Sequence, residues 1–378
     1  MKLSIIYCFK DRELSRIKRS VESLYPQLGN NDEIVFVDYG SNTNIKGEVE
    51  NYLKDFLQIE YIYVEAQGRL WNRSHALNIG VKNSTSEYVM MADIDLIFSQ
   101  SFLNKLKSQF QTTDLVNYQC HYLPQKFKKY DQLLNKPSKY AKCFKKSTNE
   151  GLGLMAVKKS LFEEVNGYDE YYRVWGMEDN DIIHRFKLIG KETTWLRPDS
   201  YVFHQWHPTS GIRTRENIAK GWQSQQSVYF KEKNKLIIRS QNWGESFSKR
   251  TIASQVIAPD FEYELTEYNP IYATYFIKNK LNEHEPNQVI RFSYNNTSIE
   301  ELKKTNVFKL ISWFNKWSKR IKFPMVLESD LYHFGDRSTI YDFRDIFHYF
   351  LLMNEKDLMD YYLSQRSQSI ELTIMLKG

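Results

Sequence analysis

Two carboxylates one residue apart, Asp93 and Asp95, close the apolar run YVMMA. Alternate side chains of an extended chain point the same way, so both acids face one side. Like charges at that separation are costly unless a cation sits between them, and carboxylate oxygens suit a hard divalent ion such as Mg²⁺ or Mn²⁺. Standing alone, a DxD triplet is equally a solvated turn after a strand. Further along, WGMEDND carries Glu178, Asp179 and Asp181 into a helical pattern that continues as IIHRFK. Acids in a first helical turn complement the positive end of the helix dipole. Spacing pairs Asp181 with Arg185 across one turn, which gives Asp181 a structural role and leaves Glu178 and Asp179 to project into a cleft. HQWHP places His204 and His207, two of only eight histidines, just after the run YVF. Neutral imidazole is a good Mn²⁺ ligand and a poor Mg²⁺ one. The stretch GRLWNRSHALN sets Arg69 and Arg73 on a loop that enters a helix N-terminus, a construction suited to an anion such as phosphate.

These groups are carried by alternating strand and helix patterns. Strands are predicted at Leu3 to Phe9, Glu33 to Asp38, Ile59 to Val64 and Glu87 to Asp95. Helices are predicted at about Arg12 to Leu24, Lys46 to Phe56 and Ser74 to Asn83. Repeated βα units of this size imply a parallel sheet with helices on both faces and ligands at the carboxyl ends of its strands. Those ends carry Lys10 to Arg12, Asp38 to Ser41, Gln67 to Arg73, and the Asp93 and Asp95 pair, with a charged group at each. Residues 126–146 read as a long loop, Gly151 to Val157 as a strand, Glu178 to Leu188 as a helix, and TTWLRP and SYVFH as short strands. From Trp243 onward Asn, Tyr, Lys and Glu dominate and the βα rhythm is lost, so a boundary is expected near residue 240. Beyond it, NVFKLISWFNKWSKRIKF mixes aromatic and basic residues at helical spacing. That segment suits first a helix packed on its own domain with a solvated basic face and, as the lesser alternative, an anionic membrane surface. Ile340 to Leu363 reads as one or two amphipathic helices, which makes the C-terminal region mostly helical.

The chain has 378 residues, 42% hydrophobic, enough for a sizeable core and for more than one domain. Aromatic residues are 15%, more than a core needs, so some rings are expected to line a cleft for flat ligands such as sugars and bases. A net charge of +6 suits an anionic small molecule or a loosely contacted acidic membrane, and is too weak to signal nucleic acid. The three cysteines match no disulfide or zinc framework, and the first apolar stretch is too short for a signal h-region. No run of eighteen apolar residues occurs. A cytoplasmic protein is expected, peripheral to the inner face of the plasma membrane at most. Among alternatives, a nucleotidyltransferase would show a glycine-rich phosphate loop near the first strand, and CFKDRELSR has no glycine. A catalytically dead sugar-binding protein would have no reason to keep both DID acids, Glu178, Asp179 and the histidines.

In order, SIIYCFKDR, SVESLYPQ, EIVFVDYGS, RLWNRSHALNIG, MADIDLIF, WGMEDNDIIHR and YVFHQWHP resemble the GT-A-fold glycosyltransferases of family 2. The branch with a galactosyltransferase-like second half is the most similar, shared with bacterial chondroitin-type polymerases and β-1,4-galactosyltransferases. The resemblance spans about residues 1–235 and implies an α/β fold, a Rossmann-like mixed sheet flanked by helices. It implies a nucleotide-binding half at 1–98, an acceptor-binding half at 99–240, and a C-terminal domain at 241–378 of unassigned role. By the same resemblance Phe9 and Asp38 contact uracil, with Arg12 beside that pocket. Arg69, Asn72 and Arg73 lie near the diphosphate or donor sugar, and Asp93 binds ribose or sugar hydroxyls. Asp95 holds the metal, completed by His204, which ends its strand, or by His207. Glu178 binds a sugar hydroxyl, Asp179 is the catalytic base, and Trp175 with Gly176 forms the acceptor or sugar surface. The implied reaction moves galactose, N-acetylgalactosamine, N-acetylglucosamine or glucuronic acid from its UDP donor, with Mn²⁺ or Mg²⁺. The implied acceptor is an oligosaccharide or lipid-linked glycan, in bacterial surface or capsule polysaccharide synthesis. One carboxylate base without a dedicated nucleophile implies inversion. Two positions depart from the pattern: Tyr39 replaces a second acid after the second strand, and Asn180 replaces the third acid of the WGxED cluster.

Overall fold

The computed structural model describes residues 1–147, 153–174, 176–197, 199–207, 220–233, 242–247, 252, 258–265, 270–295, 304, 306–320, 340–366 and 369–377. The chain divides into two compact units, Met1–Gln67 with Trp71–Pro208 and Gln226–Ser248, and Gly68–Leu70 with Thr209–Gln225 and Lys249–Gly378. The first unit therefore runs past residue 240 and keeps Trp243, whose ring packs on Phe162.

In the first unit, β1 (Leu3–Phe9) is buried at all seven positions, as its unbroken apolar sequence requires of a central strand. Leu3, Ile5, Tyr7 and Phe9 pack on one face and Ile6 and Cys8 on the other. β2 (Glu33–Asp38), β3 (Ile59–Tyr63) and β4 (Tyr88–Asp93) join it in parallel. Beyond β4, β5 (Leu96–Phe98), β6 (Leu115–Asn117), β7 (His121–Tyr122), β8 (Met155–Lys158), β9 (Thr194–Trp195) and β10 (Val202–His204) complete the unit's strands. The large sheet has the order β3-β2-β1-β4-β8-β6-β9, and β8 runs antiparallel to both its neighbours, so the sheet is mixed. A small second sheet has the order β5-β10-β7. The helix Leu14–Leu24 buries Ile17, Val21 and Leu24 at i, i+4, i+7 against one face of the large sheet. The helix Arg73–Asn83 covers the other so closely that a Cβ on Gly80 would lie 2.3 Å from Ile6 Cγ2. The direction of chain progression reverses between β1 and β4, the kind of switch point outside whose carboxyl ends open α/β sheets bind ligands.

Residues 126–146, expected as a loop, contain the short helices Tyr130–Asn135 and Pro137–Ala141. Phe127, Tyr130, Tyr140 and Phe144 pack around buried Leu133, a cluster too brief to register as periodicity.

Among its described residues the second unit holds more helix than strand, with a sheet beside the helices that the sequence reading did not anticipate. β11 (Phe261–Glu264), β12 (Val289–Asn295), β13 (Leu358–Gln365) and β14 (Ser369–Leu376) form a four-stranded sheet of order β11-β12-β14-β13. The expected helix over Ile340 to Leu363 stops at Asn354, and LMDYYLSQ continues as β13. Its tyrosines favour a strand once a partner is present, and IELTIML in β14 supplies that partner. The helix Ile340–Asn354 buries Phe343, Phe347, Phe350 and Leu351 at i, i+4, i+7, i+8, and Phe343 stacks on Tyr294 of β12 at 3.8 Å.

Candidate active site

Asp95 follows β4 directly and precedes β5. The ladder between β5 and β10 sets Leu96 opposite His204, and Gln205 N donates to Asp95 O at 2.9 Å. This pairing brings His204 Nε2 to 3.4 Å from Asp95 Oδ1 and His207 Nε2 to 3.2 Å from Oδ2. One donor atom from each of the three residues lies within 4.8 Å of the others. Burial raises the affinity of Asp95 for a proton, but the hydrogen bond from His207 and the charges of His204, His207 and Arg12 outweigh it and hold the carboxyl below its usual range. Asp95 Oδ1 is buried with no hydrogen-bond partner. A shielded carboxylate oxygen with unspent lone pairs, facing two imidazoles, fits a divalent transition ion. Both histidines reach Asp95, so no choice between His204 and His207 is needed.

Gln205, between them, escaped the sequence reading. It is buried, accepts from Arg19 Nη1 at 3.0 Å and donates to Arg16 O at 3.1 Å, which ties the strand end to the helix Leu14–Leu24. An amide flanked by two candidate ligands was the available signal.

Asp93 goes elsewhere. Arg73, in the first turn of its helix, places Nη2 at 3.0 Å from Asp93 Oδ1 and Nη1 at 3.1 Å from Asp179 Oδ1, with Glu178 Oε1 at 3.9 Å. Nη2 also donates to Gly153 O at 3.2 Å. Three carboxylates thus share one guanidinium. Burial and the neighbouring Glu178 push the Asp179 carboxyl well above its ordinary range, against the pull of Arg73, and burial likewise raises Glu178. Gly153 has φ +55°, and a Cβ there would meet Asp179 Oδ1 at 2.3 Å and Arg73 Nη1 at 2.8 Å. Only a glycine lets the backbone approach this cluster.

The turn before Glu178 is bent by left-handed residues on both sides of position 175: Val174 at φ 64°, Gly176 at 94° and Met177 at 75°. A β-branched residue in that region costs on the order of 1–3 kcal/mol. The bond from Val174 N to Trp71 O, 2.8 Å, helps to hold it. Trp175 itself lies outside the described residues. The helix Glu178–Leu188 follows, and Asp181 pairs with Arg185 at 2.9 Å, both buried. Lys233 adds a second cation, 2.5 Å from Asp181 and 2.9 Å from Asp169, a contact from far downstream that no local spacing announces. Asn180, at the position of the family's third acid, is exposed.

The expected uracil pocket is arranged differently from its sequence reading. The Phe9 ring packs edge-on to Phe36 within the core and does not line a cleft. Asp38 is fully buried; its oxygens accept from Ser41 N at 2.8 Å and Tyr61 Oη at 2.7 Å, and burial raises its pKa in spite of those bonds. Arg12 is half-buried and acts on Asp95 through its charge. Tyr39 is buried, and its hydroxyl meets His75 Nδ1 at 2.9 Å, while His75 Nε2 meets Glu245 O at 2.7 Å. The departure at Tyr39 therefore exchanges an acid for a structural tie. Asn72 caps its helix by accepting from His75 N at 2.9 Å and donates to Glu170 O at 2.8 Å, so its amide is spent on local structure. Arg69 parts company with Arg73: in the second unit its guanidinium pairs with Asp360 at 2.9 Å and Glu355 at 3.6 Å.

The model of glycosyl transferase family 2 matches residues 4–166, which hold Arg73, Asp93 and Asp95. The model described as the N-terminal domain of galactosyltransferase matches residues 133–207, which hold Glu178, Asp179, His204 and His207. Together the two glycosyltransferase models cover residues 4–207. The chain is similar to N-acetylgalactosaminyltransferase 6 of Drosophila melanogaster, 24% identical over 70% of this chain and 45% of that protein. Beta-1,4-galactosyltransferase 1 of Bos taurus is 26% identical over 38% of this chain and 32% of its own length. Chondroitin sulfate synthase 3 of Mus musculus is 25% identical over 42% of this chain and 18% of its own. The chain spans less than half the length of each of these relatives. Among solved structures, S. aureus TarS 1-349 in complex with UDP-GlcNAc aligns over 55% of this chain and 60% of that one, at 16% identity and a TM-score of 0.44. The glycosyltransferase segment thus contributes every member of both carboxylate clusters. No helix among the described residues is long and apolar enough to cross a membrane.

Proposed function

We propose that the protein is an inverting, metal-dependent glycosyltransferase that moves a sugar from a UDP donor to a hydroxyl of a glycan acceptor during surface-polysaccharide assembly. The reading rests on one observation: Asp93 and Asp95, at the switch point of the sheet, enter two separate clusters, one able to hold a metal ion and the other a set of half-buried acids around one guanidinium. Names of the similar proteins favour galactose or N-acetylgalactosamine as the sugar. Asp95, His204 and His207 would hold the divalent ion, which supplies positive charge for a departing diphosphate. Asp179 is the proton acceptor. Its raised proton affinity suits removal of a hydroxyl proton near neutral pH better than an ordinary carboxylate would. Glu178 accepts a sugar hydroxyl, and Arg73 holds both carboxylates through Nη1 while its Nη2 holds Asp93. With one base and no separate nucleophile assigned, attack comes from the face opposite the leaving group and gives a β-linkage from an α-linked donor.

The test is donor hydrolysis without acceptor. UDP release is measured from UDP-galactose, UDP-N-acetylgalactosamine, UDP-N-acetylglucosamine and UDP-glucuronic acid, with Mn²⁺ and after exhaustive chelation. Release from one or two donors, lost on chelation, is expected. No release from any of them overturns the proposal, and undiminished release after chelation removes its metal.

A further inference from the structure

In the second unit the helix Asn306–Arg320 turns apolar side chains outward. Val307, Leu310, Trp313 and Phe314 are 52, 65, 63 and 55% exposed. At 100° per residue Val307, Leu310 and Phe314 fall on one stripe, with Trp313 at its edge. A stripe of that kind is what a surface helix ordinarily buries against a core. The sequence around it is strongly basic. Lys303, Lys304, Lys309, Lys316, Lys319, Arg320 and Lys322 are seven cations, with no Asp or Glu between Leu302 and Leu327. The whole chain carries +6, so everything outside this short segment is net −1. The net positive charge of the chain is thus concentrated in the short segment 303–322.

We infer that this helix seats the protein on an anionic lipid surface, its axis in the plane of the membrane. Val307, Leu310, Trp313 and Phe314 enter the boundary between headgroups and acyl chains, while the exposed Lys304 and Lys309 meet anionic headgroups and the segment's net charge adds to the attraction. Fifteen residues of helix reach about 22 Å, short of the roughly 30 Å hydrocarbon core, so the helix lies on the bilayer and does not span it. A second copy is the poorer occupant. A two-fold interface would set the same seven cations against themselves with no acid in the segment to answer them.

The experiment is flotation of the full chain with vesicles of phosphatidylcholine alone and of equimolar phosphatidylcholine and phosphatidylglycerol. Binding to the mixed vesicles is expected to exceed binding to neutral ones by about tenfold or more at low salt and to fall as salt is added. The double variants Leu310→Ser/Phe314→Ser and Lys304→Glu/Lys309→Glu are each expected to lose about tenfold in binding. The altered residues are exposed, so far-UV circular dichroism and UDP release should stay at the level of the parent. Absence of flotation with anionic vesicles overturns the inference. So does a Leu310→Ser/Phe314→Ser variant that floats like the parent, or a concentration-dependent dimer that those two changes dissolve. UDP release reads the catalytic proposal separately, so either reading can fail without the other.

Discussion

Asp93 and Asp95 are separated by one residue and end in opposite electrostatic settings. Asp95 is buried between two imidazoles, its carboxyl is held below the usual range, and one of its oxygens lacks a hydrogen-bond partner. Asp93 joins Glu178 and Asp179 around a single guanidinium, where negative charge is in excess and burial raises the proton affinity of Glu178 and Asp179. The first cluster is short of a cation; the second has too few cations for its acids and holds protons easily. A nucleotide-sugar reaction needs both conditions close together, one for a departing dianion and one for a proton leaving a hydroxyl.

The largest effect that can break this contrast is at Asp95. Asp95→Asn keeps the shape and removes the charge between the histidines. Manganese-dependent UDP release is expected to fall by about 10³-fold, and calorimetric titration should show Mn²⁺ affinity reduced by a comparable factor. Asp93→Asn should leave Mn²⁺ affinity near that of the parent. If both variants lose metal equally, the two clusters are one site and the contrast disappears.

Asp179→Asn sharpens it. Transfer to an acceptor is expected to drop by roughly 10²-fold or more, with donor binding retained. Stability should move the other way. A carboxyl whose folded pKa is raised contributes stability that is fully present below its unfolded pKa and is lost as pH rises through the folded one, so ionisation of Asp179 opposes folding. The neutral amide removes that opposition, and the melting temperature at neutral pH should rise. A fully active variant, or one that melts lower, would show that Asp179 is not a strained base. The same raised affinity sets the pH dependence of the parent. Transfer should climb with pH through a midpoint above the ordinary carboxylate value of about 4, and in the Asp179→Asn variant that limb should vanish from the residual rate.

Much of the first unit is legible before folding because its signals are local. β1 reads as seven apolar residues, the helix Leu14–Leu24 as a 3.6-residue stripe, and the Asp181–Arg185 pair as one helical turn. Residue types at strand ends also announce Asp95, His204 and His207, although only the β5–β10 ladder explains why both histidines arrive together. Contacts distant in sequence are silent. Arg69 and Arg73 look alike on their loop, yet Arg69 pairs with Asp360 and Arg73 with Asp93, and nothing within reach of either distinguishes them. Phe9 and Asp38 were placed at a cleft by position, whereas packing on Phe36 and bonds from Ser41 and Tyr61 turn them inward. The second unit's sheet is hidden for a related reason. LMDYYLSQ fits a helix and a strand equally until IELTIML lies beside it.

Gln205 offers the smallest and most discriminating test. Its side chain touches neither Asp95 nor the imidazole nitrogens, and it reaches Arg19 and Arg16 on the helix Leu14–Leu24. Gln205→Leu removes two hydrogen bonds at similar volume and should cost about 1–2 kcal/mol in denaturant unfolding. If the amide only braces the fold, Mn²⁺ affinity will be unchanged. If it fixes the spacing of His204 and His207 against Asp95, Mn²⁺ affinity should fall by about tenfold, as for other groups that orient ligands. Acceptor transfer at saturating Mn²⁺ should then return to the parent rate, because Arg73, Glu178 and Asp179 belong to the other cluster. A loss of transfer that Mn²⁺ cannot restore would mean that displacement at one cluster reaches the other, and that the two are mechanically joined through the turn between Asp93 and Asp95.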